Sequence, residues 1–265
     1  MASEYWVDGA DIEAPDGSVL VMAGTQLPEV PAPRTTSITV PNRSGVIAAP
    51  YHVFGTFKVA LNVLACGPTR AAADAAWRGL LTRLMAGGRL IQLDYRPAGA
   101  PPRTTQAHFV SASTPTLWRS SFVNPKEFGV EAAIVLESVE GAWRDISPVT
   151  AAASDLSALN GGTLPVTDAQ LILLPASPHT RVTDQVSGSS VSWAGTVPSG
   201  RSVLVDCGAY RASSVAGTTW TPSGTDVSSG LSMSAGGFRL TPGSDGRTRV
   251  TVEGGSAMVR ARRAW

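Results

Sequence analysis

The sequence predicts a mainly β protein of two domains with a single helix. The chain holds 27 Gly and 19 Pro among 265 residues, a density of turn formers that suits many short strands better than a helical bundle. Its 43% hydrophobic content supports a sizeable core, and its 15% charged content excludes a highly charged disordered chain. At about 150 residues per domain, the length indicates two domains.

The charge balance gives little attraction to nucleic acid or to an anionic membrane. Twenty-one basic and 20 acidic residues leave a net charge of +1, so we expect no nucleic-acid binding. Only Lys58 and Lys126 are lysines, and the other 19 cations are arginines. This bias fits a GC-rich coding sequence, and it also fits arginines that pair with partners at interfaces. The acidic N-terminus and the lack of a long apolar run predict neither signal peptide nor membrane segment.

The first domain, residues 1–150, consists of short strands separated by turn residues, with one clear two-residue alternation. Phe57, Val59, Leu61 and Val63 fall on one face of a strand and Lys58 on the other, as in a half-buried sheet. Further strands are expected at 17–23, 36–40, 89–95, 106–112, 117–123 and 128–139, with a proline-rich connector at 28–33.

One helix is predicted between Thr69 and the Gly87-Gly88 pair. Thr69 is a candidate N-cap, and glycine at the other end can adopt the left-handed conformation that ends a helix. Its apolar residues recur at helical spacing and form a wide stripe that we expect to cover one sheet face: Ala73, Ala76, Trp77, Leu80, Leu81, Leu84 and Met85. Arg70, Asp74 and Arg78 lie off this stripe, which leaves them available to a neighbouring molecule.

The second domain, residues 163–265, follows a small, polar segment, 151–162, that we interpret as a linker. Turn residues punctuate it at intervals close to ten, which is typical of a β-sandwich. Its strands are expected at 169–174, 180–186, 190–193, 203–207, 238–241, 248–253 and 257–264.

The residues that usually carry catalysis or bind a metal are scattered. His52, His108 and His179 lack partners at helical metal-site spacing, and Cys66 and Cys207 fit neither a disulfide framework nor a metal knuckle. We expect both cysteines to be free and buried. The chain contains no G-x-S-x-G motif and no phosphate-binding loop. The sequence therefore predicts no catalytic site, no metal site and no cofactor.

Two groups of acids and one group of tryptophans leave alternatives open. The acids near the N-terminus do not match the ligand spacing of an EF-hand, so we favour a solvated or arginine-paired edge: Glu4, Asp8, Asp11, Glu13 and Asp16. A glycosidase pair drawn from Glu131, Glu137 and Glu140 would need a separation that sequence does not give. Tryptophans of the second domain serve either as a sugar platform or as core or interface anchors: Trp193, Trp220 and Trp265.

The order of these pieces resembles the distal tail proteins of siphophages. In the first domain the resemblance is carried by Thr36-Ser37-Ile38-Thr39-Val40-Pro41-Asn42-Arg43-Ser44-Gly45, the alternating strand, the helix, and the long strand that leads to Glu140-Gly141-Ala142-Trp143-Arg144. In the second domain it is carried by 191–197, 200–206 and 238–246. The resemblance covers most of the chain through the order of its pieces, since each piece alone is a common turn or strand.

The resemblance implies a tail-tube-like β-sandwich or split barrel with one helix, followed by a galectin-like jelly roll. It implies a structural virion protein, assembled in the host bacterial cytoplasm, whose first domain forms a homohexameric ring at the tail tip. The ring would join the tail tube protein to the tail-tip hub and support host adsorption, with no catalytic residues. For the contacts between protomers we single out Arg70, Asp74 and Arg78.

Two other functions remain open at this stage. A carbohydrate-binding adhesin would act on host glycan through a platform in the second domain formed by Trp193 and Trp220. A cell-wall hydrolase would release soluble fragments from peptidoglycan.

Overall fold

The structure is a computed structural model that describes residues 4–23, 25, 33–34, 37–39, 46–48, 53–119 and 127–265. The chain divides into two compact units, Met1–Ile146 and Ser147–Trp265, which we name unit 1 and unit 2. The division falls four residues before the boundary that the sequence predicts near 150. The mainly β fold class with a single α-helix among the described residues is confirmed.

The described elements of unit 1 are short strands at its start and end, with long strands and the helix between them. They are β1 (Tyr5–Val7), β2 (Ala10–Asp11), β3 (Val19–Val21), β4 (Pro33–Arg34), β5 (Ser37–Thr39), β6 (Val46–Ala48), β7 (Val53–Phe54), β8 (Phe57–Gly67), α1 (Arg70–Met85), β9 (Ile91–Tyr95), β10 (Arg103–Ala112), β11 (Thr116–Arg119), β12 (Phe128–Ser138) and β13 (Arg144–Asp145).

A nine-stranded sheet forms the body of unit 1 in the described residues. Its strand order is β2-β1-β9-β10-β12-β8-β3, with β11 also paired to β12 and β13 to β10. The central antiparallel pair runs the full length of β8 and β12, from Phe57↔Ser138 to Gly67↔Phe128. Phe57, Val59, Leu61 and Val63 are buried and Lys58 is exposed, so the predicted alternation of β8 is confirmed. Two shorter pairs, β4 with β7 and β5 with β6, stand apart from this sheet.

The predicted helix is confirmed together with both of its ends. The Thr69 hydroxyl accepts a hydrogen bond from the Ala72 N–H at 3.1 Å, and Gly87 has a φ of 64°. The buried face of α1 lies against β8, β12 and β10 and consists of Ala73, Trp77, Leu80 and Leu84.

Arg83 ties the last turn of α1 to the first hairpin. Its Nη1 donates to the Asp11 carbonyl at 2.6 Å, and its Nη2 donates to the carbonyls of Val7, at 2.9 Å, and Ala10. Partial burial lowers the pKa of Arg83, although Asp8 and Asp11 oppose this effect. The guanidinium therefore satisfies several carbonyls of β1 and β2, which present an edge of the sheet.

An aromatic cluster forms part of the unit 1 core. Trp143 is 1% exposed, and its ring lies 5.7 Å from that of Phe57 and 6.0 Å from that of Tyr95, between centroids. Tyr5 on β1 lies 5.1 Å from Tyr95, and burial raises the pKa of its phenol. These tilted contacts hold β1, β8 and β9 against the segment that follows β12.

Unit 2, every residue of which is described, is a β-sandwich. Its elements are β14 (Val149–Ala152), β15 (Gln170–Pro175), β16 (His179–Asp184), β17 (Ser190–Ala194), β18 (Arg201–Asp206), β19 (Arg211–Ala216), β20 (Thr225–Asp226), β21 (Leu231–Met233), β22 (Val250–Glu253) and β23 (Gly255–Ala261). One sheet has the order β14-β23-β15-β18-β19-β20 and the other β21-β17-β16-β22. Leu171, Val205 and Val259 from the first sheet and Val182 and Val191 from the second are all fully buried.

The segment 151–162 is part of unit 2, so its interpretation as a linker is wrong. Ala151 and Ala152 belong to β14, which pairs with β23, and the Ala153 N–H donates to the Ala257 carbonyl at 2.9 Å. Leu156 and Leu159 are each 4% exposed around a short 3-10 turn, Ser157–Leu159. The small residues of this segment pack at a tight edge of the sandwich. The same composition is typical of flexible linkers, which is why the sequence suggested one.

Other strand expectations differ in detail. The run 238–241 contributes only one bridge, between Leu240 and Val166, and β19 was not expected because its serines weaken the alternation. Several predicted features lie outside the described residues. They are the proline connector except Pro33, the motif 36–45 except β5, the strand end 120–123, and the residues His52 and Lys126.

Candidate interaction surfaces

A groove of about 630 Å³ lies on unit 1 between α1 and β11. The three residues singled out from the sequence, Arg70, Asp74 and Arg78, all line it along one face of the helix. The opposite wall and the floor are mostly apolar and comprise Trp77, Pro115, Leu117 and Val130. The structure therefore brings the three predicted residues together on one surface, and their role in protomer contacts stays a prediction.

The charges of this groove are exposed and contribute little to the stability of unit 1. Arg78 donates to Asp74 at 2.9 Å, with 76% and 48% of their side chains exposed, and such pairs contribute at most about 1 kcal/mol. Among the described residues, no hydrogen bond involves the side chain of Arg70, which is exposed. A partner could thus engage these guanidinium groups without breaking the fold.

Beside the groove, β11 forms an edge of the sheet. It pairs with β12 on one side, and within the described residues no strand pairs with its other side. Leu117 on this edge is 43% exposed, and Val110, at the register shift between β10 and β12, is 42% exposed. Unpaired strand edges with exposed apolar side chains are sites at which another chain adds.

The position of β11 depends on a glycine across the strand pair. A Cβ atom on Gly129 would lie 2.4 Å from the Trp118 ring, so only glycine allows the indole to lie over β12. Sequence reasoning missed Pro115, Leu117 and Val130 because they join the groove only through the pairing of β11 with β12. The adjacent apolar residues Leu117 and Trp118 in a short strand were the one local signal.

Trp193 does not form a sugar platform, which corrects one of the two sequence-based candidates. Its side chain is 3% exposed, and its Nε1–H donates to the Val227 carbonyl at 3.0 Å. Val191 and Trp193 share the inner face of β17, so the ring is a core anchor of the sandwich.

Trp220 is half-buried on the outer face of the other sheet of unit 2. It packs on Ile172, Leu204 and Val215, and the Arg260 guanidinium lies 5.9 Å from its ring centroid. Trp193 and Trp220 therefore belong to different sheets and do not form one surface. Trp265 is half-buried beneath the guanidinium of Arg263, at 5.3 Å.

The acidic groups are used in local structure. Asp8 accepts a hydrogen bond from Arg89 at 2.7 Å, which lowers the pKa of that carboxyl, and Glu13 accepts one from the Val21 N–H. This bears out the arginine-paired edge at Asp8. Glu131 and Glu137 lie six residues apart on one strand, about 20 Å, which is too far for a glycosidase pair.

Neither histidines nor cysteines form a reactive cluster in the part of the chain that is described. No group of three or more His, Cys, Asp and Glu side chains is placed to bind a metal ion there. His179 is exposed, and His108 lies 3.6 Å from Glu137 on the surface. Cys66 and Cys207 are both buried and form no disulfide among the described residues, as predicted, and burial raises the pKa of the Cys207 thiol. None of the described helices has the length and apolar character needed to cross a membrane.

Comparison with solved structures gives the fold of the whole chain. It has the fold of the Dit protein of phage SPP1, described as a paradigm of the hub adsorption apparatus in phages that infect Gram-positive bacteria. The TM-score is 0.61 at 11% identity, over 99% of this chain and 98% of that one. The resemblance inferred from the sequence is therefore confirmed for the fold.

A second solved structure, the baseplate of phage p2 in its activated conformation, matches at a TM-score of 0.37 and 9% identity. The match covers 96% of this chain and 92% of the other, and its score is too low to establish a shared fold. No family model and no curated protein sequence matches the chain.

Proposed function

We propose that this chain is a distal tail protein, a structural and non-enzymatic component of a long non-contractile phage tail. The observation that carries the proposal is the full-length fold match, which includes both units and leaves no large insertion unaccounted for. A fold alone does not determine function. Here the shared order of two different β units over an entire chain makes a common structural role the simplest account.

In this role, unit 1 forms a homohexameric ring at the tail tip, between the tail tube protein and the tail-tip hub. Unit 2 is the galectin-like domain and supports the host-adsorption apparatus. The protein acts in the virion after assembly in the host bacterial cytoplasm, and it needs no cofactor.

The surface of unit 1 supports a ring. A head-to-tail ring of six protomers joins two different faces of each protomer. The groove lined by Arg70, Asp74 and Arg78 and the adjacent edge of β11 supply one such face, with apolar and charged groups side by side. The 15% charged content is also consistent with a protein that buries much of its surface against neighbours.

Light scattering and negative-stain electron microscopy of the purified full-length chain test the ring. A hexamer has a mass of about 160 kDa, six times the 27.4 kDa of one chain, and presents ring-shaped particles. Mass spectrometry and cryo-electron microscopy of purified tails test the location, with density for the chain expected at the tail tip. A monomeric chain that is absent from purified tails would overturn the proposal.

A matched pair of variants tests the face. Leu117→Arg places a charge on the 43% exposed edge residue, and Val186→Arg places the same charge at a 47% exposed position of unit 2. We expect Leu117→Arg to convert rings to smaller species and Val186→Arg to leave them intact, with both chains folded by circular dichroism. Intact rings in both variants would remove the β11 edge from the interface.

A further inference from the structure

Unit 2 contains a small cavity of about 320 Å³ on the outer face of its six-stranded sheet. Its floor is Leu204, and the loop that leads into β20 forms one rim. The other lining residues are polar side chains on neighbouring strands and small residues at the mouth. They are Gln170, Asp206, Arg211, Ser213 and Asp226 on the strands, and Ala209, Pro222 and Gly224 at the mouth. Volumes near 300 Å³ are at the lower end for small-ligand sites, so a single compact ring fits better than an extended chain.

The polar groups of the cavity come from directly opposed positions. Gln170, Asp206 and Arg211 form one cross-strand row over β15, β18 and β19, and Ser213 lies opposite Asp226 in β20. Side chains at such positions point to the same face of the sheet and lie about 5 Å apart. The row therefore offers carboxylate acceptors, guanidinium donors and a hydroxyl within the span of one small molecule.

Three of these groups are held in place and two are available. Gln170 Nε2 donates to Asp206 Oδ2 at 3.5 Å. Asp206 Oδ1 accepts from the Ala209 N–H at 2.9 Å, and Asp226 Oδ1 accepts from the Ser228 N–H at 2.8 Å. The Ser228 hydrogen bonds, with a smaller effect of Arg211, lower the pKa of Asp226, so its carboxylate stays charged at neutral pH. In fully described unit 2, the side chains of Arg211 and Ser213 have no hydrogen-bond partner.

The rim of the cavity is rigid because its backbone lies against the sheet. A Cβ atom on Gly224 would lie 1.5 Å from the Ser214 carbonyl oxygen, so only glycine fits there. Arg201 secures the same carbonyl with its Nη2 at 2.5 Å and the Ser214 hydroxyl with its Nε at 2.8 Å. The cavity is thus preformed, and binding there would need little reordering of the loop.

An aromatic residue stands in the chain between two residues of the cavity wall. Tyr210, between Ala209 and Arg211, is 52% exposed and has a φ of 53°. This left-handed conformation is unfavourable for a bulky side chain and natural for glycine. An exposed aromatic residue kept in a strained turn beside a polar cavity indicates a role outside folding.

We propose that this cavity binds a neutral saccharide, with one sugar ring against Ala209 and Pro222 and its hydroxyls on Asp206, Arg211 and Asp226. Each sugar hydroxyl is both donor and acceptor, which matches the polar lining, while the C–H face of the sugar suits the apolar atoms of Ala209 and Pro222. Two carboxylates against one guanidinium disfavour an anion. In this proposal the exposed Tyr210 ring, whose chain neighbours Ala209 and Arg211 line the cavity, supplies a further apolar contact to the sugar. The site goes beyond the ring proposal and does not depend on it.

Saturation-transfer difference NMR on the full-length chain tests the site. The probes are glucose, galactose, N-acetylglucosamine, N-acetylgalactosamine and rhamnose, with glycerol as an acyclic control. We expect saturation transfer to at least one of the five sugars and none to glycerol. Light scattering of the same samples reports the ring separately, so failure of one proposal is distinguishable from failure of the other.

Three variants locate the binding. Arg211→Ala removes a guanidinium that makes no hydrogen bond within the chain. It should lower the affinity for the sugar about ten-fold. Arg247→Ala removes an exposed arginine of unit 2 outside this cavity and should leave binding unchanged. Tyr210→Gly should weaken binding while it retains or raises the thermal stability of the chain, because glycine relieves the positive φ.

Two results would overturn the proposal. The first is the absence of transfer to all five sugars, and the second is transfer that Arg211→Ala leaves unchanged. If the sugars give no signal and Arg211→Ala instead impairs incorporation of the chain into tails, the cavity receives a protein segment and not a saccharide.

Discussion

Replacing Trp193 with Ala tests whether this residue anchors the core of unit 2. The indole is 3% exposed and donates to the Val227 carbonyl at 3.0 Å. Two glycines make room for it, since a Cβ atom on Gly195 or Gly230 would approach the ring to 2.7 Å or 2.9 Å. The ring therefore fills a close-fitting space that Ala would leave empty.

The expected magnitude follows from this packing. Deleting a fully buried tryptophan side chain destabilises a protein by about 3–5 kcal/mol, and leaving the Val227 carbonyl without its donor adds about 1 kcal/mol. Trp193→Phe keeps most of the apolar volume and should lower the free energy of unfolding by about 1–2 kcal/mol. Trp220→Ala removes a half-buried ring from the outer face, for an expected loss of about 1–2 kcal/mol.

Urea denaturation of the full chain measures these differences when unfolding is followed separately in each unit. Hydrogen–deuterium exchange of peptides from residues 147–265 reports unit 2, and peptides from unit 1 serve as the internal control. The expected order of destabilisation is Trp193→Ala, then Trp220→Ala and Trp193→Phe together. A loss below about 1 kcal/mol for Trp193→Ala would refute the core assignment and restore this residue as a surface group.

Three further outcomes follow from the contacts described above. Arg83→Ala leaves several carbonyls of β1 and β2 without their charged donor and should destabilise unit 1 by about 3 kcal/mol in the same urea assay. Arg78→Ala should change the free energy of unfolding of unit 1 by less than about 0.5 kcal/mol. Equal effects of the two variants would contradict the role of Arg83 in anchoring β1 and β2 to α1. Gly129→Ala should displace Trp118 and raise amide exchange in β11 alone, and unchanged exchange there would contradict the close approach. Because the folded state raises the pKa of Cys207, its neutral thiol stabilises unit 2 below the ordinary cysteine pKa of about 8.5. Stability should therefore fall as pH rises above that value, Cys207→Ala should reduce the fall, and a native thiol that iodoacetamide labels readily at neutral pH would argue against its burial.

The sequence predicts those parts of the fold that local patterns determine. The alternation from Phe57 and the stripe around Trp77 are strong periodic signals, and both the strand β8 and the helix α1 appear where these signals place them. The segment 151–162 was wrongly predicted to be a linker because small residues suit both a flexible linker and a tight sheet edge. The pairing partner, β23, lies more than a hundred residues away, and no local pattern shows it.

The candidate surfaces show the same division between local and long-range information. Arg70, Asp74 and Arg78 were found because helical spacing places them off the apolar stripe. The wall opposite them was missed because its residues meet only through strand pairing. For Trp193 the sequence did contain a signal of burial. Val191 stands two positions before Trp193, so both side chains lie on the same face of the strand, and an aromatic residue on the apolar face of a strand points inward.

The bias toward arginine over lysine gains a physical explanation from its use within the chain. Arg83 and Arg201 each bind more than one acceptor, and Arg96 bonds Asp94 at 2.7 Å while its guanidinium lies 4.1 Å from the Trp6 ring centroid. A planar guanidinium can make these multiple contacts, and a lysine ammonium cannot reproduce their geometry. Arginine content by itself is thus no sign of a partner. Two exposed arginines without side-chain hydrogen bonds also line a groove or cavity described above, Arg70 in unit 1 and Arg211 in unit 2, and these two are the ones that point to partners. These two positions separate the ring proposal from the saccharide proposal, because each can be changed without disturbing the other.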